Sequence, residues 1–227
     1  HLDYHTGLGR SATFKLLLGE NPGPTAAQAA WLGKWFDPAV LDGLISLVDK
    51  SLVTQAEQPD GEPRFRMLET IREYAEERLQ QSGGADVVRR RHAAWCLSLA
   101  DEASLHLTGP RQQEWLDRLA REHDNMRTAL DWCMGAGEAE LGLRLAAALG
   151  EFWALHAHLD EGRMRLARAL AAAPAHGPDL AHARALDWAS VLAYHQCDYA
   201  VAQAQAGEAL ALYRALGNRR GESRALD

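Results

Sequence analysis

The dipeptide Ala-Leu falls at Ala129-Leu130, Ala169-Leu170 and Ala209-Leu210; from 129 to 169 to 209 the interval is 40 both times. Such a period constrains the fold before composition is considered, because self-similarity at roughly 20–50 residues is the mark of stacked repeat architectures. In an Ala- and Leu-rich chain the dipeptide alone is a weak register, but the same interval also aligns Leu119, Leu159 and Tyr199, and then Met126, Leu166 and Ala206. Breakers fall between the segments: Gly135 and Gly137, then Pro174, Gly177 and Pro178, then Gly217 and Gly221. Proline cannot continue a helix and glycine weakens one. Each unit therefore reads as helix, tight turn, helix, longer loop.

Apolar spacing gives the helices their buried faces. Leu141, Leu145, Leu149, Phe152 and Trp153 follow the period of one helical face. Ala93, Cys96, Leu99 and Ala103 do so earlier, and Trp115, Leu119, Met126, Leu130 and Cys133 on the next segment. Small residues at Ala189, Ala193, Ala202 and Ala209 permit close helix approach. An ordinary helical bundle with accidental periodicity is the competing reading. Cys197-Asp198-Tyr199-Ala200, followed by Ala202, Ala209-Leu210 and Tyr213, resembles the Gly-Asp-Tyr turn and second helix of a tetratricopeptide repeat. Cys197 stands where that repeat has glycine, and the period exceeds the usual 34 or so residues. The resemblance covers Glu138 to Asp227 and extends loosely back to Val87.

Residues 37 to 82 follow a different pattern. Asp37-Pro38 is a helix start, with Asp37 as N-cap and Pro38 in the first turn. A helix over Val40–Val48 is expected, then a short strand Leu52–Thr54. The turn signal Gln58-Pro59-Asp60-Gly61 follows, then a returning strand Arg64–Leu68 and a helix Glu69–Leu79 closed by Ser82-Gly83-Gly84. Helix, hairpin, helix in this order is the wing end of a winged helix. The strings Val40-Leu41-Asp42-Gly43-Leu44, Leu47-Val48-Asp49-Lys50-Ser51-Leu52-Val53 and Arg64-Phe65-Arg66-Met67-Leu68-Glu69-Thr70-Ile71-Arg72-Glu73-Tyr74-Ala75 carry a second resemblance. They are similar to the segment after the nucleotide-binding module in bacterial signal-transducing ATPases of the NB-ARC (AP-ATPase-like) type, found in LuxR-type and AfsR-like regulators. Arg89-Arg90-Arg91-His92-Ala93, Glu122-His123-Asp124-Asn125 and Ala129-Leu130-Asp131-Trp132 fit the same family.

That resemblance implies a non-catalytic regulatory fragment, with ATP or ADP bound by an upstream module and no cofactor in this fragment. Where relatives carry Met-His-Asp, whose histidine touches the nucleotide phosphate, this chain has Met67-Leu68-Glu69. Leucine donates no hydrogen bond, so Met67, Leu68 and Glu69 are candidates for the interface with the nucleotide module rather than for direct sensing; the simpler reading of Met67 and Leu68 is strand-end core.

Other chemistry finds little support in the residues. Thr6-Gly7-Leu8-Gly9-Arg10-Ser11 lacks the lysine of a phosphate-binding loop and a preceding strand. Ten histidines invite a metal reading, yet there is no HExxH string and no CxxC pair. His156 and His158, two apart, would point to different faces of a helix, and His1 and His5 sit at a terminus. No metal site and no catalytic residue is expected, and no nucleophile-elbow string anchors a hydrolase. Arg89, Arg90 and Arg91 form the one concentrated basic run, a candidate contact to phosphate or an acidic partner, although an exposed helix start explains it as simply. The tryptophans on helical apolar faces read as core, with Trp153 and Trp188 as candidate groove anchors.

The expected architecture is mainly α: a partial winged helix, then a tetratricopeptide-like α-solenoid of antiparallel hairpins. Residues 1–36 are unassigned, with helix expected over Ser11–Leu18 and Thr25–Trp35. Residues 37–84 form the winged-helix-like domain, 85–137 a linking helical hairpin, and 138–227 the repeats, truncated at an uncapped helix. The chain is read as a piece of a longer protein, its signal peptide absent or removed. A formal charge of −7 weighs against a dedicated nucleic-acid binder. The expected partners are a protein or peptide on the repeat surface and the intramolecular nucleotide module. DNA would be reached through another domain, or, as the alternative function, through this winged helix with Arg64, Arg66 and Arg89 to Arg91 on phosphates. No membrane span is expected, and three widely spaced cysteines read as buried free thiols in a reducing cytoplasm.

Overall fold

The computed structural model describes Gly43 and residues 46–57, 63–173 and 179–226. The expectations for residues 1–36, for Asp37-Pro38, for most of Val40–Ile45, for the turn at Gln58–Gly61 and for the loop holding Pro174, Gly177 and Pro178 lie outside the described residues. The fold is mainly helical with one small antiparallel sheet, and the chain divides into two compact units, His1–Ala85 and Asp86–Asp227.

In the first unit a helical turn over 46–49 leads into β1 (Val53–Glu57), which pairs antiparallel with β2 (Pro63–Met67). The register sets Val53 opposite Met67 and Gln55 opposite Phe65. Val53 and Phe65 are buried, with Leu47, Val48 and Met67 packed on them. The period-2 alternation thus sends Phe65 and Met67 to one face and leaves Arg66 exposed. The first strand starts and ends later than Leu52–Thr54, and Leu68 lies outside β2. Its backbone (φ −60, ψ 145) is the extended residue from which α1 (Glu69–Gln81) starts. Ser82 closes α1, its hydroxyl donating to the Leu79 carbonyl at 2.7 Å, and Gly83 follows at φ 71.

The second unit contains α2 (Ala85–Ser104, which begins at the boundary), α3 (Gln112–Ala136), α4 (Ala139–Leu155), α5 (Leu159–Ala172), α6 (Leu180–His195), α7 (Tyr199–Ala215) and α8 (Arg219–Leu226). Four of the connections are one motif repeated. Gly137, Ala157, Cys197 and Gly217 all adopt left-handed backbone, at φ 76, 56, 60 and 65. The amide of the next residue reaches back to a carbonyl in the last turn of the preceding helix: Glu138 to Cys133 at 3.0 Å, His158 to Trp153 at 2.9 Å, Asp198 to Ala193 at 3.0 Å, Asn218 to Tyr213 at 2.9 Å. This is the six-to-one bond of a Schellman stop. The carbonyl of that same residue then accepts the first bond of the following helix, from Gly142, Gly162, Ala202 and Glu222. From 137 to 157, and from 197 to 217, the step is 20 residues, so one helix plus its turn is half of the 40-residue period.

The repeated stops set neighbouring helices against one another, and the apolar faces read from the sequence meet between them. Trp115, Leu119, Met126, Leu145, Leu149, Phe152, Trp153, Leu166 and Leu192 belong to one buried core. α6 packs on α4, α5 and α7, so each hairpin seats on the next. The close approach is largest between α4 and α6, where a Cβ on Gly150 would lie 2.1 Å from the Trp188 ring. Cys96 and Cys133 are buried free thiols, as expected, but Cys197 is exposed. It occupies the left-handed turn position, outside both apolar faces. Among the described residues no helix is long and apolar enough to cross a membrane.

Candidate functional site

The junction of β2 and α1 holds the first group of sequence-predicted residues. Met67 ends β2 and is half-buried against Val53 and Phe65. Leu68 is 65% exposed, so it is not strand-end core; leaving the pleat at the helix start turns it outward. Glu69 is exposed and bonds the Arg72 guanidinium one turn on, which holds its carboxyl below the usual range. Leu68 is thus an exposed apolar side chain beside a charged pair, while the Tyr74 ring, also exposed, carries the Arg78 guanidinium at 5.1 Å.

Arg89, Arg90 and Arg91 lie in the second turn of α2. Arg89 is half-buried, while Arg90 and Arg91 are exposed. Arg89 and Arg90 line an open cleft of about 600 Å³ between α2 and the end of α3, with Asp86, Val87, Trp132 and Glu138 among its other walls. Arg90 reaches Glu138 at 3.4 Å across it. The cleft therefore offers an indole wall, an exposed valine and charges of both signs.

Trp153 is fully buried and Trp188 is partly buried. Trp153 is thus corrected from groove anchor to core: it sits on the α4 face that meets α5 and α6, where Gly162 abuts its ring. Trp188 packs on Gly150 while the Arg224 guanidinium lies 4.9 Å over its ring, so its outer face is covered as well. His156 and His158 are also placed differently from their helical reading. They flank the Ala157 turn with rings nearly parallel, 6.1 Å apart.

A polar seam that single-segment reading could not find joins successive hairpins. Arg127 on α3 holds Glu161 on α5 through two bonds, 2.8 and 2.6 Å, and Arg165 adds a third at 2.8 Å. Arg127 also bonds Asp124 at 3.0 Å, and Arg165 bonds Asp131 at 3.0 Å. The Arg127 bond chiefly holds the Glu161 carboxyl down at about 2. Beside it, burial pushes His123 down to about 4, and burial also lowers His158. Further along, Arg163 bonds Gln196 at 2.6 Å and Asp198 at 2.8 Å, and Gln196 donates to Asp160 at 2.6 Å. On the other helices Asp187, 1% exposed, accepts from the Tyr213 hydroxyl at 3.1 Å and from Arg224. The arginine and glutamine bonds between hairpins join partners 33 to 37 residues apart, and Tyr213 reaches Asp187 over 26.

Residues 24–80 match the family of winged helix-turn-helix domains. Three relatives, each described as "Putative HTH-type transcriptional regulator", come from Mycobacterium bovis and from two strains of Mycobacterium tuberculosis. Each is 42% identical over 139 residues, which is 60% of this chain and 15% of the relative. The chain thus spans about a seventh of the length of the curated relatives it matches. No solved structure matches it significantly.

Proposed function

We propose that this chain is the regulatory portion of a transcriptional regulator, a winged helix followed by a tetratricopeptide-like scaffold that binds a protein or peptide and performs no catalysis. The observation that carries the reading is the order of parts: a winged helix-turn-helix match at 24–80, then a helix stack with the same stop at 137, 157, 197 and 217. Such stacks present long surfaces held by nearest-neighbour interfaces, which suits recognition. The α2–α3 cleft is the docking place this reading selects, and the Met67–Leu68–Glu69 junction is the one it assigns to an NB-ARC-type nucleotide module. Coupling then requires that partner and nucleotide each favour one arrangement of the same protein. The setting is cytoplasmic, as free thiols at Cys96 and Cys133 suit. The test is nucleotide affinity of the full-length protein with and without substitutions at Arg90 and Trp132.

The family match favours a second reading, direct DNA binding by the winged helix. Arg66 is exposed on β2, and Arg90 and Arg91 are exposed on α2. A mobility shift with this chain, lost as salt rises and weakened by Arg66→Ala, would establish it. Absence of any shift at low salt would leave the scaffold reading standing alone.

A further inference from the structure

The seam between α3 and the α4–α5 turn brings two histidines beside Glu161, the carboxylate that Arg127 and Arg165 hold. His123, His158 and Glu161 each bring one ligand atom to within 4.8 Å of the others. His123 comes from the middle of α3, His158 is the residue at the start of α5, and Glu161 is one turn further along. The His123 and His158 rings lie 4.6 Å apart. His123 is 7% exposed, and its Nε2 makes no hydrogen bond although it lies 3.4 Å from Glu161 Oε2. A buried ring nitrogen of this kind is costly unless something partners it. We propose that His123, His158 and Glu161 bind a divalent transition cation of borderline softness, of the Zn²⁺ kind, which clamps α3 to the α4–α5 turn.

The turn geometry explains why His158 is available. Its backbone amide is taken by the Trp153 carbonyl, as in the other stops, which fixes where the side chain emerges. At the equivalent position after Cys197, Asp198 takes Arg163, and after Gly217, Asn218 accepts from the Gly221 amide at 2.9 Å. His158 caps nothing, and its ring is turned toward His123. Two imidazoles and one carboxylate suit zinc-like ions rather than Mg²⁺ or Ca²⁺, which favour all-oxygen sets. Metal–ligand bonds of roughly 2.0–2.2 Å require the three atoms to draw closer than their present spread, and the half-buried His158 can supply that movement by rotating.

Arg127 and Arg165 already bond Glu161, so the cation shares that carboxylate with them, while Asp124 and Asp131 lie beside the two guanidiniums to take up their charge. Phe152 packs edge-on against His123 and closes the inner side.

The test is titration of the metal-stripped chain with Co²⁺, read by its visible d–d absorption, followed by displacement with Zn²⁺. The expected result is one Co²⁺ per chain, displaced by Zn²⁺, with affinity lowered by more than about tenfold in His158→Ala. Affinity should be unchanged in the His1→Ala/His5→Ala double variant. His158 is not core, so its variant keeps the fold, which far-ultraviolet circular dichroism checks. As a second measurement, Zn²⁺ should shift the ring resonances of His123 and His158 in the unsubstituted chain. No stoichiometric binding, binding retained in His158→Ala, or loss of binding in the terminal double variant would each overturn the proposal.

Discussion

Gly150 and Trp188 share one volume: the absent Cβ of the glycine is the space that the indole on α6 fills against α4. Alanine at 150 gains helix propensity, about 1 kcal/mol, but forces the ring off a position it cannot easily leave, since Arg224 covers its other face. Gly150→Ala is expected to lower stability by about 1–2 kcal/mol in urea denaturation. Adding Trp188→Leu should recover part of the loss, because the two changes act at one contact.

The left-handed stops predict the opposite sign at two positions. Ala157 and Cys197 hold a conformation that costs a side-chain-bearing residue about 1 kcal/mol, and glycine avoids that cost. Ala157→Gly and Cys197→Gly should each stabilise by about 0.5 kcal/mol or more, after the extra freedom glycine gives the unfolded chain. Gly217→Ala should destabilise by a similar amount. Thermal melts of the three variants check the pattern.

Acid should act through the α3–α5 seam in two windows. His123 titrates near 6.5 when unfolded and about 4 when folded, so its neutral burial contributes fully above about 6.5 and is lost as pH falls toward 4. Glu161 has its folded value held at about 2, so its contribution is present above 4.5 and is lost as pH falls from there through 2. Stability should therefore drop by up to about 3 kcal/mol between pH 6.5 and 4 from His123 alone. His123→Gln should flatten that window and leave the lower one.

Asp187 is buried while its partner Arg224 is partly exposed. Arg224→Ala leaves the carboxylate with the Tyr213 hydroxyl alone and is expected to cost about 2 kcal/mol, short of a fully buried pair because water reaches the vacated side. Denaturant midpoints of Arg224→Ala and Arg224→Lys separate the two guanidinium donors on the one Asp187 oxygen from the charge.

The sequence carried the helix faces well, because burial follows period. Ala93, Cys96, Leu99 and Ala103, and Trp115, Leu119, Met126, Leu130 and Cys133, are all buried as their spacing requires. Leu68 was harder, since a strand-to-helix junction breaks the alternation that predicted it. Cys197 and Ala157 gave no residue-type sign of left-handed backbone. The His123–His158–Glu161 group and the Arg127–Glu161 pair were out of reach for a different reason: their members lie on different helices, and only the 20-residue stop brings those helices together.

The central claim is that the helix stack receives a partner and passes its presence to the rest of the regulator. The most direct measurement is the ATP affinity of the full-length protein with Arg90→Ala and Trp132→Ala at the α2–α3 cleft, with and without the bound partner recovered by the native chain. The account predicts that the partner changes ATP affinity by at least about fivefold in the native protein and that the two substitutions abolish the change. An ATP affinity that the partner alters equally in native and substituted proteins would contradict it.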